Sequence, residues 1–303
     1  MKTWLSRFGL VIALLCIGTA LSIVKPVFLT FPNLLNVVRQ ISINGILAVG
    51  VTYVLLTGGV DLSLGSVVAL SGVVAAGFAH PGEWPVVVPV AAGVFVGAAC
   101  GGINGLVVTK GRVAPFIVTL GMMTAARGVA LVVSGGKPVS NLGESFRWIG
   151  SGAVPVIVFL AVSCVSWVVL LNLRLGRHLY AVGGNENAAR ASGINVEGVK
   201  LFAYTICGAL AGLGGVVLAA RITTGQPNAG VGYELDAIAA VVIGGTSLSG
   251  GVGGVRGTII GALLMGVINN GLDLLNVSSY YQAIVKGIII VGAVWLDQRK
   301  EKT

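Results

Sequence analysis

The sequence predicts an all-α polytopic membrane protein of about ten transmembrane helices, with broken or re-entrant segments among them. Composition is the first reason: of 303 residues, 55% are hydrophobic and 10% are charged, with a mean hydropathy of +0.97. A soluble domain carries about 25% charged residues. The second reason is length, because the apolar runs approach or exceed the roughly 18 residues that read as a membrane span. Glycine is the third: 47 residues are glycine, about twice the usual share of ~7%. In lipid, small residues let helices approach closely, since packing must replace the hydrophobic drive between them.

Taken in order, the apolar segments fall at 8–24, 40–57, 64–79, 85–109, 115–134, 153–171, 201–220, 235–249, 256–275 and 281–296. Lys2 and Arg7 precede the first in the manner of a signal peptide. No small-residue cleavage site of the A-x-A kind follows, so a retained anchor is expected. With the N-terminus inside, the cytoplasmic segments hold Lys2, Arg7, Lys110, Arg112, Arg174, Arg177, Arg190, Lys200, Arg256, Arg299, Lys300 and Lys302. The opposite side holds Lys25, Arg39, Lys137, Arg147 and Arg221, leaving Arg127 and Lys286 inside spans. Positive charge concentrates on the cytoplasmic side of a membrane protein, which places both termini there. The net charge of +9 is thus a topological signal and not a nucleic-acid footprint. The whole chain, 1–303, reads as a single transmembrane domain.

Two glycine-rich stretches interrupt the helical pattern, Thr57–Gly65 and Gly244–Gly257. Non-helical backbone at membrane depth is tolerated only where protein or a watery cavity surrounds it. Asp61, with Ser63 close behind it, either caps the helix that begins there or lines a transport path. Asn44, Asn269 and Asn270 join Asp61 and Ser63 as translocation-path candidates, although hydrogen bonding between helices is the commoner role of such residues. Ile103-Asn-Gly-Leu106 is echoed by Ile268-Asn-Asn-Gly-Leu272, a short hint of an internal repeat. Glu234 and Asp236 fall in the first turn of a helix starting near Tyr233. There they either complement the helix dipole or offer a patch for a soluble partner on the non-cytoplasmic face. Gly93, Gly97, Gly101 and Gly105 form a four-residue ridge, and Gly208/Gly212 and Gly257/Gly261 repeat its spacing. The ridge fits a compact bundle or a dimer contact equally well.

The polar interval 172–200 stands apart. Apolar runs flank it, which makes it a loop between spans. Asn185 can cap a short helix from Glu186 to Ser192, and Gly193 can end it. A helix of about two turns is unstable alone in water, so it must rest on something: a docking partner, or the bundle itself.

Several chemistries have no residues to carry them. The sequence contains no phosphate-binding G-x-x-x-x-G-K-[ST] loop and no H-E-x-x-H. The four cysteines lie singly in apolar runs and the two histidines lie far apart, so neither a metal site nor another cofactor is expected. Ion-coupled carriers use chains of intramembrane acids and histidines, which are also missing. Uphill transport by this chain would need energy from another subunit.

Five stretches carry a family resemblance: GVTYVLLTGGVDLSLGS at 50–66, KGRVAPFIVTL at 110–120, RLGRHLYAVGGNENAARASGINV at 174–196, QPNAGVGYELDAIAAVVIGGTSLSGG at 226–251 and NNGLDLLNVSSYYQAIVK at 269–286. Together they resemble the permease subunits of bacterial ATP-binding-cassette importers for monosaccharides. The resemblance implies a non-enzymatic transport subunit in the inner membrane, working as a homodimer surrounded by lipid. It implies an ATPase subunit on the cytoplasmic side and a periplasmic sugar-binding protein. Gly183, Gly184, Asn185, Glu186, Ala188, Ala189, Arg190 and Gly193 then form the coupling helix seated in the ATPase, and Glu234 and Asp236 become the docking candidates for the binding protein. Ribose is the sugar the resemblance favours. Xylose, galactose and autoinducer-2-like sugars are the alternatives, and an ion-coupled carrier is the alternative of a different class.

Overall fold

The computed structural model describes residues 2–301, and within them the side chains of 9–292, 294 and 295. Lys2, Arg7, Arg299, Lys300 and Lys302, which enter the charge count, fall outside the described side chains. The chain runs as α1 (Lys2–Val24), a 3-10 turn (Pro26–Leu29), α2 (Phe31–Leu56), α3 (Leu64–Gly77), α4 (Val87–Thr109) and α5 (Pro115–Ser134). Then come α6 (Glu144–Ile149), α7 (Val154–Asn172), α8 (Arg174–Gly184), α9 (Glu186–Ala191), α10 (Val196–Ile222), α11 (Tyr233–Ile243), α12 (Val255–Leu274) and α13 (Ser279–Glu301).

Every apolar segment contains a helix, yet only six helices among the described residues are long and apolar enough to cross a membrane: α2, α4, α5, α7, α10 and α12. The expected span at 235–249 is a shorter object. α11 has 11 residues, about 16 Å at 1.5 Å per residue, against a hydrocarbon core of about 30 Å. It ends because Gly244 packs against the backbone of Gly257 and Gly245 turns at φ +89°. α3 is similarly short, with 14 residues. In the other direction, α2 begins at Phe31 with Pro32 in its first turn, nine residues before the expected start.

α2, α3, α4 and α10 form the centre of the bundle, and α11 and α12 close one side against α2. The glycine ridge decides for the bundle. A Cβ on Gly97 would overlap the carbonyl of Gly208, one on Gly101 the carbonyl of Tyr204, and one on Gly105 would press on Leu201. α4 and α10 therefore cross with backbones in contact. Gly257 and Gly261 do the same for α12 against Gly244 and Ala240 at the end of α11. Hydroxyls add a polar clamp: Thr52 on α2 and Thr258 on α12 share a hydrogen bond of 2.7 Å.

Candidate functional site

The polar interval folds as two helices where one was expected. The sequence does carry a signal for α8. Leu175, Leu179 and Val182 fall at helical spacing, and Leu179 and Val182 are buried together with Leu56 and Leu170. α9 forms as the capping chemistry dictates. Asn185 Oδ1 accepts the amide of Ala188 at 2.9 Å, which satisfies one of the orphan donors of the first turn. At the other end Gly193 lies at φ +80°. Its amide donates to Arg190 O and that of Ile194 to Ala189 O, at 3.0 and 3.1 Å. This pair of bonds is the Schellman stop. The helix runs to Ala191, with Ser192 as the C-cap.

Charged side chains brace this short helix against α10. Lys200 Nζ lies 2.6 Å from Glu186, and Arg190 bridges Glu186 at 3.4 Å and Glu197 at 2.6 Å. The Lys200 ammonium, then the Arg190 guanidinium, hold the Glu186 carboxyl below its usual range; Arg190 does the same for Glu197. The two alanines part company. Ala188 is exposed, whereas Ala189 is buried among Leu179, Val182, Val196 and Val199. Ala189 therefore anchors the knob to its own bundle and presents no surface to a groove, a correction to its expected role. Asn195 caps α10 in the same way, accepting the amide of Gly198 at 3.0 Å.

The lead-in to the knob touches both membrane breaks. A Cβ on Gly183 would overlap Leu56 O and Gly251 N, and Gly250 approaches both Gly58 and Gly183. Gly251 donates its amide to Leu56 O at 3.0 Å. The end of α2, the α11–α12 loop and the end of α8 thus meet backbone to backbone. Gly250 and Gly251, at φ +91° and +73°, hold a conformation that L side chains rarely adopt.

The translocation-path candidates separate into different places. Asp61, 1% exposed, accepts the amide and hydroxyl of Ser63 at 2.8 and 2.6 Å, and Asn104 donates to Ser63 Oγ at 3.1 Å. Asp61 is thus no N-cap. That position is Ser63, which makes no side-chain capping bond, and Asp61 instead ties the approach to α3 into a turn. Tyr204 reaches the same break, donating to Val60 O at 3.3 Å. Asn44 is buried on α2. Asn269 and Asn270 diverge: Asn270 exchanges two hydrogen bonds with Asn33, at 3.1 and 3.0 Å, while Asn269 donates to Asp236 at 3.2 Å.

Asp236 corrects the docking reading. It is 4% exposed and pairs with Lys286 Nζ at 2.8 Å, so it has no face to offer a soluble partner. Glu234 is half-buried and accepts the amide of Gly232 at 3.2 Å. Arg127, the other cation left inside the spans, donates to Pro227 O and, at 2.8 Å, to Ala229 O. Both in-span cations therefore end on the single segment 227–236.

Residues 33–294 match the permease family described as branched-chain amino acid transport system / permease component, and the chain belongs to that family. It is 49% identical to the ribose import permease protein RbsC of Escherichia coli over 310 residues, covering 99% of this chain and 96% of that one. It is 48% identical to the protein of the same name from Bacillus subtilis, over 98% and 94% of the two chains. The L-arabinose transport system permease protein AraH of Escherichia coli is 37% identical, over 99% and 93%. No solved structure matches. The chain is a multi-pass membrane permease of the sugar-importing kind.

Proposed function

We propose that this protein is the membrane-spanning subunit of an ATP-driven importer of a monosaccharide, ribose before other sugars, in the bacterial inner membrane. The α9 knob carries the proposal. A six-residue helix capped at both ends, braced by three ion pairs and leaving Ala188 outward is a rigid protrusion suited to seating in a partner's groove. The contact of Gly183 with Leu56 and Gly251 gives a push on that protrusion a direct route to α2 and to the α11–α12 loop. Nearly full-length likeness to permeases named for ribose supports the substrate, and the greater distance of the permease named for L-arabinose points the same way.

In this reading ten segments cross or enter the bilayer, with α3 and α11 as the partial ones. Both termini and the 172–200 coupling loop face the cytoplasm, where an ATPase subunit engages each copy of a homodimer. Sugar crosses between the two copies, with Asn44, Asp61, Ser63, Asn269 and Asn270 as candidates for groups that shape the path. A periplasmic binding protein delivers the sugar at the opposite face. Glu234 stays in that docking proposal.

Ala188→Trp tests the knob. The variant should insert normally yet lose ATP-dependent uptake of labelled ribose into vesicles and lose its co-purifying ATPase. Undiminished uptake would reduce α9 to a packed loop.

A further inference from the structure

A cavity of about 270 Å³ opens where α7 ends, between α7, α8 and the first turn of α12. Arg256 stands at its edge with its guanidinium 4.9 Å from the centre of the Trp167 ring. The ion pairs among the described residues leave Arg256 without a carboxylate. Tyr180 also lines the cavity, its hydroxyl donating to Gly253 O at 2.9 Å. Leu171, 53% exposed, and Trp167, 40% exposed, form the apolar side. They continue the outward face of α7, on which Ile157, Leu160, Val165 and Val168 are also exposed. An outward face of exposed apolar side chains suits hydrocarbon, which puts the cavity at the end of α7 on a level with the headgroup layer.

We infer that this cavity binds an anionic phospholipid from the leaflet on the α9 side, with the headgroup phosphate on Arg256 and the glycerol and upper chain against Trp167 and Leu171. Arginine presents a planar fork of donors matched to phosphate oxygens. Stacking on an indole holds that fork in place without using its donors. The uncapped amides in the first turn of α12, which also line the cavity, favour negative charge at the same point. The charge of the lipid follows from what is missing: no acidic residue lines the cavity, so the ammonium of a zwitterionic headgroup meets a cation and no anion. Tryptophan and basic pockets between helices suit this depth of the membrane. Because Tyr180 and Gly253 adjoin the Gly183 contact, a bound lipid would sit beside the lead-in to the knob.

The test uses the purified permease in mixed phosphatidylglycerol–phosphatidylcholine nanodiscs, with retained lipid counted by native mass spectrometry after transfer to detergent. The parent should retain phosphatidylglycerol selectively. Arg256→Gln should cut that preference roughly fivefold, one basic residue's share of the attraction to an anionic lipid surface. A photoactivatable phosphatidylglycerol should label the Trp167–Leu171 end of α7 in the parent chain, which keeps the proposal testable should the variant fold poorly. Equal selectivity in Arg256→Gln, or equal labelling by a phosphatidylcholine probe, would overturn it. Displacement of the lipid by millimolar inorganic phosphate alone would overturn it in favour of a free-anion site. Loss of bound ATPase with lipid retention unchanged would make Arg256 a partner contact instead.

Discussion

The cluster at Asp236 and the knob at Glu186 are built from the same chemistry in opposite surroundings. Both join a carboxylate in the first turn of a short helix to a lysine on a later helix, α13 and α10 respectively, at 2.8 and 2.6 Å. Asp236 is 4% exposed, however, whereas Glu186 is 44% exposed. A charge pair in a low-dielectric interior attracts more strongly but must offset a desolvation cost of several kcal/mol per ion. A solvated pair is worth about 0–1 kcal/mol and is screened by salt. Geometry alone would rank the two together, while burial makes the first a structural commitment and the second an adjustable brace.

The largest effect should follow from leaving Asp236 alone. Lys286→Met removes its cation and leaves Asn269 as a neutral partner, and breaking a buried pair this way costs about 3–5 kcal/mol. Lys286 is itself a quarter exposed, which places the expected loss at the lower end. Thermal unfolding in detergent should show it, with much of the loss regained in Lys286→Met/Asp236→Asn, where no charge is stranded. A loss no bigger than that of a surface pair, or no recovery in the double variant, would break the distinction between the two clusters.

A smaller, local effect belongs to the knob's cap. Asn185→Ala strips the Oδ1 acceptor from the Ala188 amide, and such caps are worth about 1 kcal/mol. Amide exchange across 186–193 should quicken roughly fivefold while exchange in α2 and α10 stays unchanged. Faster exchange throughout the bundle would mean that α9 stabilises the fold as a whole.

Much of this arrangement was legible from the residues. Capping chemistry is local, so Asn185 and Gly193 mark α9 without any knowledge of the tertiary structure. The apolar runs mark helices for the same reason. What local pattern does not reveal is which neighbour a polar group meets. Glu234 and Asp236 are two residues apart and share a first turn, yet one turns back to Gly232 and the other inward to Lys286, fifty residues on. Lys286 and Arg127 stood out as cations inside spans, but their partners lie on a segment that only the fold brings to them. Ala188 and Ala189 show the same limit at one residue's distance, because the helical turn sends one outward and the other into the core. The glycine ridge was visible as a surface, but a surface does not name its partner. Only the overlap with Gly208 and Tyr204 does.

The smallest effect concerns Glu186, and it sharpens the comparison through pH and salt. Its carboxyl is held below the ordinary glutamate value by Lys200 first and Arg190 second. A carboxyl depressed in the folded state contributes stability that is present above its unfolded value, about 4.3, and is lost as pH falls through the folded value. Protection of the α9 amides should therefore stay flat from neutral pH down to about 5 and decline below the ordinary glutamate range. Glu186→Gln should lower the plateau slightly and flatten the acid-side decline without abolishing it, since Glu197 is depressed by Arg190 in the same way. Salt supplies the contrast. At about 1 M the screening length shrinks to roughly 3 Å, so the difference between Glu186→Gln and the parent should largely vanish, while the penalty of Lys286→Met should persist. Hydrogen exchange across the pH series reads the first pair and thermal unfolding the second. A Glu186→Gln difference that survives high salt would place this pair with the buried cluster after all.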